Sequence, residues 1–164
     1  MKNPWKFIAT CLSAVVLLIA AIACSRISSA QGWSGGIISD EHLIIGSMDG
    51  QLLSLDIDPG KHTWEPILLR VDKDQEELRA VYGTPAVYKN IAIVASYDGK
   101  IHAFSTEHGT LLESEPVAEQ FIGGVLISND RLYVGSGSGT LYAFDVSIKT
   151  GTVSLEKSWQ FNAG

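Results

Sequence analysis

Cysteine is nearly missing from this 164-residue chain, with two residues, Cys11 and Cys24, both among the first 24. The rest of the chain carries no thiol, which excludes disulfides, thiolate metal sites and a cysteine nucleophile from its folded part. Glycine is absent before Gly32 and then occurs 16 times. That density of helix-disfavouring residues excludes a helical bundle. Positive charge is also scarce: 12 Lys and Arg face 18 Asp and Glu, for a net charge of −6. Lys2 and Lys6 precede every acidic residue, so ten basic residues remain against all eighteen acidic ones downstream. An acidic body of this kind argues against nucleic acid as its partner. Intrinsic disorder is excluded in turn, because 46% of residues are hydrophobic.

The first thirty residues read as an address. Lys2 and Lys6 form a positive region before the apolar stretch Phe7 to Ala23, the layout of an export signal. Three endings are open. Ala21-Ile22-Ala23-Cys24 resembles a lipoprotein signal, with cleavage before Cys24 and lipidation of that residue. Ser28-Ser29-Ala30 offers ordinary signal peptidase a site before Gln31. The nineteen uncharged residues from 7 to 25 also approach the roughly 20 that span a bilayer as an uncleaved anchor. Residues 1–30 are therefore assigned to a signal, lipoprotein signal or anchor, and the folded part to 31–164. Its expected location is exported and membrane-associated on the extracytoplasmic side, with a secreted or periplasmic form as the alternative.

Self-similarity organises the remainder of the chain. Three stretches align: HLIIGSMDGQLLSLDIDPGK from His42, IAIVASYDGKIHAFSTEHGT from Ile91 and RLYVGSGSGTLYAFDVSIKTG from Arg131. Gly50, Gly99 and Gly139 share one place, at spacings of 49 and 40 residues, and Ser47, Ser96 and Ser136 precede them by three. The charged stretch Val71 to Arg79 accounts for the longer first spacing as an inserted surface loop. Within each unit, β-branched apolar runs flank a turn at Asp49-Gly50, Asp98-Gly99 or Ser138-Gly139. These turns are expected to be of the primed type, with positive φ at both residues. A second turn comes after strands expected to end at Asp56, Ser105 and Asp145, and small residues at Gly35-Gly36, Thr84-Pro85 and Gly123-Gly124 open each unit. Four short strands per unit and a period near 40 predict β-propeller blades, at about 32–66, 82–114 and 121–161.

A small-residue-led strand, a V-Y-V-G-S-x-D-G-x-L-Y-A-F-D core, a T-G turn and a tryptophan resemble the pyrroloquinoline-quinone-type (PQQ-like) propeller repeat. Leu132 to Asp145 carries the closest version. The resemblance implies an all-β fold of about three four-stranded antiparallel blades in an incomplete ring. It also implies that Trp64 and Trp159 dock adjacent blades, while Glu113 stands at that place in the second copy. Propellers normally close with four to eight blades, so the ending Trp159 to Gly164 is expected to open a further unit, with self-assembly into a ring as the alternative.

Chemistry is hard to find. Quinoprotein dehydrogenases of this resemblance hold quinone and calcium and commonly carry adjacent cysteines, which the body here lacks. Asp49, Asp98, Asp56 and Asp145 recur where turn and strand-end roles explain them. His42, His62, His102 and His108 show no metal-ligand spacing, and Gly135 to Gly139 is a hairpin rather than a phosphate loop. No catalytic, cofactor-binding or metal residue is expected, and no cofactor. The sequence thus predicts a non-catalytic, envelope-exposed scaffold that binds a protein or peptide, similar to the scaffold subunit of the bacterial outer-membrane barrel-assembly machinery. A fragment of a quinoprotein dehydrogenase and an extracytoplasmic sensor domain are the alternatives.

Overall fold

The computed structural model describes residues 32–58, 61–69, 80–149 and 151–163. The apolar address with Cys24, its alternative cleavage positions and the 71–79 insertion lie outside the described residues. Among the described residues there are twelve strands and no helix. They form three separate antiparallel sheets, each a contiguous four-stranded meander. The first holds β1 (Trp33–Ser39), β2 (His42–Ser47), β3 (Gln51–Asp56) and β4 (His62–Leu68). The second holds β5 (Ala86–Tyr88), β6 (Ile91–Ala95), β7 (Lys100–Ser105) and β8 (Leu111–Pro116). The third holds β9 (Phe121–Ser128), β10 (Arg131–Ser136), β11 (Thr140–Lys149) and β12 (Thr152–Asn162). This is the all-β, incomplete-propeller architecture that the repeat predicts.

Register matches the central hairpins of the three sheets rung for rung. Ile45 faces Leu53, Val94 faces His102 and Val134 faces Tyr142, each pair in the same rung of β2–β3, β6–β7 and β10–β11. Side chains alternate between faces along a strand, so each sheet has a forward face, toward the next sheet, and a rear face, toward the one before. Forward residues Ile44, Leu52 and Ile37 meet rear residues Ala92, Phe104 and Val87 in one apolar cluster. Forward residues Ile93, Ile101 and Ala103 meet rear residues Leu132, Val134 and Phe144 in the other.

Close approach at the inner strands explains the small residues that open each unit. A Cβ on Gly83 would lie 2.1 Å from the carbonyl oxygen of Gly123, and one on Gly35 would lie 2.1 Å from Oγ1 of Thr84. The Val125 N–H donates to the Thr84 carbonyl across that gap, at 3.2 Å. β5 is the shortest strand, beginning only after Pro85, which has no N–H to give a ladder.

Two expectations are corrected. The hairpins are not primed two-residue turns: Gly50, Gly99 and Gly139 have φ of 81°, 81° and 90°, but Asp49, Asp98 and Ser138 are not among the residues with positive φ. Between that serine and the residue after the glycine each connection has three residues, and the glycine N–H donates to the carbonyl of Ser47, Ser96 or Ser136 at 3.1 to 3.2 Å. This is a three-residue loop with glycine alone in the left-handed region, which tolerates an ordinary residue before it. The second difference lies in β11, which runs on to Lys149 instead of ending at Asp145, and pairs with β12 along its whole length. Alternating Val146, Ile148, Val153 and Leu155 pack this extension onto the second sheet, so burial continues the strand past the expected turn.

Candidate functional site

The three β-turns lie at one end of the sheets, joined there to the connecting segments. Leu69, Val117 and Ala163 donate their N–H groups to the carbonyls of Gly50, Gly99 and Gly139. Tyr97 and Gly137 donate in the same way to the carbonyls of Ala80 and Gln120, the residues just before the next inner strand segment. Turns and connections therefore form one hydrogen-bonded rim, and this rim presents most of the repeat-specific polar chemistry.

In the first two sheets the rim is built alike. Ser47 donates its hydroxyl to Asp49, and Ser96 donates to Asp98. The Ser47 Oγ then accepts from the N–H of Gln51 at 3.0 Å, while Asp98 accepts from the N–H of Lys100 at 3.2 Å. The third turn has Ser138 where the others have aspartate, yet a carboxylate is still there. Glu119, from the segment between β8 and β9, accepts from Ser138 at 2.5 Å and from the Tyr142 hydroxyl at 2.6 Å. Hydrogen bonding by Ser136, Ser138 and Tyr142 holds its carboxyl at about pKa 2, well under the ordinary 4.5. Sequence reasoning missed Glu119; the signal was the serine standing at an aspartate position.

The Asp98 carboxylate has a second partner. Its Oδ2 lies 3.8 Å from Nε2 of His102, with both side chains almost wholly buried. At that separation neither atom has a hydrogen-bond partner among the described residues. The other ring nitrogen, Nδ1, is 3.1 Å from Ser114 Oγ. Burial alone would raise the Asp98 pKa, but His102 and Ser96, aided by the Lys100 charge, bring it below the usual value. His102 thus sits packed in the sheet, in the rung held by Leu53 and Tyr142. Among the described residues no three His, Cys, Asp or Glu side chains group to hold a metal ion.

The remaining candidates are spread over the sheets. Trp64 crosses to the second sheet, donating Nε1–H to the Thr106 carbonyl at 3.1 Å. Its ring also lies where a Cβ on Gly109 would come within 2.8 Å. Trp159 occupies the matching rung opposite Ala143 but tilts onto Tyr133 of its own sheet, ring centroids 6.0 Å apart. Asp145 is paired with Arg131 at 2.7 Å at the opposite end from the rim, and that bond lowers its pKa. Asp56 accepts from the Asp58 N–H at 3.2 Å. On the rim itself, half-buried Tyr82 and Tyr97 meet edge to face, centroids 5.6 Å apart and planes at 72°. Aromatic side chains set among hydroxyls and carboxylates suit protein recognition.

Known proteins share this geometry. The family model described as "Outer membrane protein assembly factor BamB" matches residues 24–159. A curated relative, the outer membrane protein assembly factor BamB of Legionella pneumophila, is 26% identical over 127 residues, which cover 76% of this chain and 32% of the relative. The chain thus spans about a third of that protein's length. The crystal structure of BamB from Moraxella catarrhalis matches with a TM-score of 0.62 at 23% identity, over 79% of this chain and 36% of that one. The quinohemoprotein alcohol dehydrogenase from Pseudomonas putida HK5 matches with a TM-score of 0.63 at 19% identity, over 78% of this chain and 20% of that one. The structural matches share the propeller fold, and the sequence match assigns the family: the chain belongs to the PQQ-like repeat proteins described as outer membrane protein assembly factor BamB.

Proposed function

We propose that this chain is a non-catalytic, protein-binding propeller segment that serves outer-membrane protein assembly from the extracytoplasmic side. The family match over residues 24–159 carries this reading. The match begins at Cys24, the residue that lipoprotein cleavage would leave first, which supports a lipid-held N-terminus. Binding is assigned to the rim, where Tyr82 and Tyr97 stand between fixed turns and the carboxylates of Asp49, Asp98 and Glu119 are locked by hydroxyl donors. Groups held in this way lose little freedom when a partner arrives, which favours affinity. Turn formation is the role of Asp49, Gly50, Asp98, Gly99, Ser138 and Gly139, and sheet docking that of Trp64 and Trp159.

A photo-crosslinking amino acid placed at Tyr97, in the full chain expressed in a bacterial envelope, tests the reading. The expected product is a crosslink to an identified outer-membrane assembly protein, absent when the probe stands at Asn129 on the opposite end. Equal crosslinking from both positions, or none from position 97, refutes the rim as the binding surface. Intact mass and the N-terminal residue of the membrane fraction test the anchor, with an acylated start at Cys24 expected.

A further inference from the structure

Imidazole is the side chain that takes up its charge between about pH 5 and 8, and the second sheet buries one at the rung where the first has Leu53 and the third Tyr142. This His102 faces Asp98 of the second rim turn, four residues earlier, and both side chains are 3% exposed. The carboxylate is served on one side only. Its Oδ1 accepts from the Ser96 hydroxyl and from the Lys100 N–H, while Oδ2, 3.8 Å from Nε2 of the ring, has no donor among the described residues. A buried carboxylate oxygen without a donor is costly, and so is a buried ring nitrogen without a partner.

The other ring nitrogen is already engaged. Nδ1 lies 3.1 Å from Ser114 Oγ on β8, and a serine hydroxyl serves as donor or acceptor. A neutral ring carries a single N–H; when that hydrogen is on Nδ1, Nε2 meets the carboxylate acceptor to acceptor. The imidazolium carries both hydrogens, so Nδ1–H donates to Ser114 while a charged Nε2–H is aimed at Oδ2. Closing the gap by about 1 Å makes that a charge-assisted hydrogen bond. The surroundings favour this closure. His102 lies on the rear face beside Phe104 and opposite Val94, and the first-sheet residues packed on that face, Ile44, Leu52, Leu69 and Ile67, are apolar. Lys100 shares the face and opposes a second positive charge, whereas Glu113 and Glu115 flank Ser114 and alternate to the other face. Asp98 is the charge aimed at the ring. Burial would raise its pKa, but hydrogen bonds with His102 and Ser96 hold it below the usual value, so it stays ionised where imidazole titrates.

We propose that Asp98, His102 and Ser114 form a proton-operated lock on the second rim turn: a proton taken up by His102 ties the turn to β7 and β8 and stiffens the loop that carries Tyr97. The other two turns have no such device, since Leu53 carries no polar atom to offer and Tyr142 is already bonded to Glu119. The consequence for binding rests on the assignment of the rim as the binding surface. A partner held at Tyr97 is then gripped by a stiffer loop, and more firmly, on the acid side of neutral than on the alkaline side.

Amide hydrogen exchange of the full chain in mild detergent, followed by NMR, tests the lock. Gly50 and Gly139 are internal controls, because their N–H groups donate to Ser47 and Ser136 as that of Gly99 does to Ser96. The protection of Gly99 relative to these two is expected to rise about tenfold from about pH 8 to about pH 5.5. His102→Leu gives the second sheet the side chain of the first, and Asp98→Asn keeps the shape but removes the charge. Each is expected to abolish the rise and leave Gly50 and Gly139 unchanged. A wild-type ratio that stays flat over this range overturns the proposal, and so does a rise that survives both substitutions. Crosslinking from position 97 at the two pH values separates the lock from its use, with the higher yield expected in acid. A Gly99 rise without any crosslink upholds the lock and refutes the rim as the binding surface, whereas a crosslink without the rise does the reverse.

Discussion

Between the first and second sheets, Trp64 reaches over the gap, bonds to the Thr106 carbonyl and lies against Gly109. Between the second and third, Glu113 stands in the rung of Trp64, and nothing aromatic crosses from that place. The missing contact is made good from the other side of the junction. The lengthened β11–β12 hairpin brings Val146, Val153 and Leu155 onto the second sheet, near Tyr88 and Leu112. Docking is therefore a property of the junction as a whole, and a repeat can lose its signature tryptophan when the next repeat grows to cover the space.

The comparison can be broken most forcefully at Phe104 and Phe144, which hold the same rung at the two junctions and are both fully buried. Alanine at either is expected to cost about 3–5 kcal/mol in urea unfolding. Loss at Phe104 is expected to release the first sheet before the other two, seen as a biphasic transition, because that junction has no hairpin extension. A smaller effect is expected from Trp64→Phe, which keeps an aromatic ring but orphans the Thr106 carbonyl, costing about 1 kcal/mol. The same measurement on Glu113→Gln should show almost no change, if the second junction has abandoned that position. Ser54→Ala works in the opposite direction. Ser54 is fully buried, its hydroxyl has no partner among the described residues, and the matching residues are Ala103 and Ala143. Alanine there is expected to raise stability by about 1 kcal/mol. The subtlest effect lies at Glu119. A carboxyl held at about pKa 2 contributes stability that is complete above its ordinary 4.5 and is lost as pH falls toward about 2. Glu119→Gln is expected to flatten that acid limb by lowering the thermal midpoint at neutral pH while leaving the midpoint near pH 2 little changed.

Much of this fold is legible in the sequence because propeller blades are local structures. Strand order, the glycines of the turns and the correspondence of Trp64, Glu113 and Trp159 all come from a meander read along the chain. The turn geometry departs from expectation because Asp-Gly suggests a primed turn, whereas the actual loop has one more residue and asks positive φ of the glycine alone. The end of β11 departs from it because the reason for its extension lies on another sheet. Glu119 left only the serine at an aspartate position as a trace, and the Asp98–His102 pair left none, for the same reason: their partners are fixed by folding, not by a repeated spacing. The rim tyrosines come from different segments and carry no motif.

Each sheet is one contiguous stretch of chain, and among the described residues the bonds between sheets join consecutive sheets, as with Val125 to Thr84. For a polypeptide that emerges N-terminus first, this ordering sets an assembly schedule. The first meander can close before the third has been synthesised, and every later one finds its template already in place. Loop-closure entropy then stays small at each step, so growth of the array is limited by synthesis rather than by a search among distant partners. The hazard moves to the growing end, where the newest forward face waits uncovered until its successor arrives.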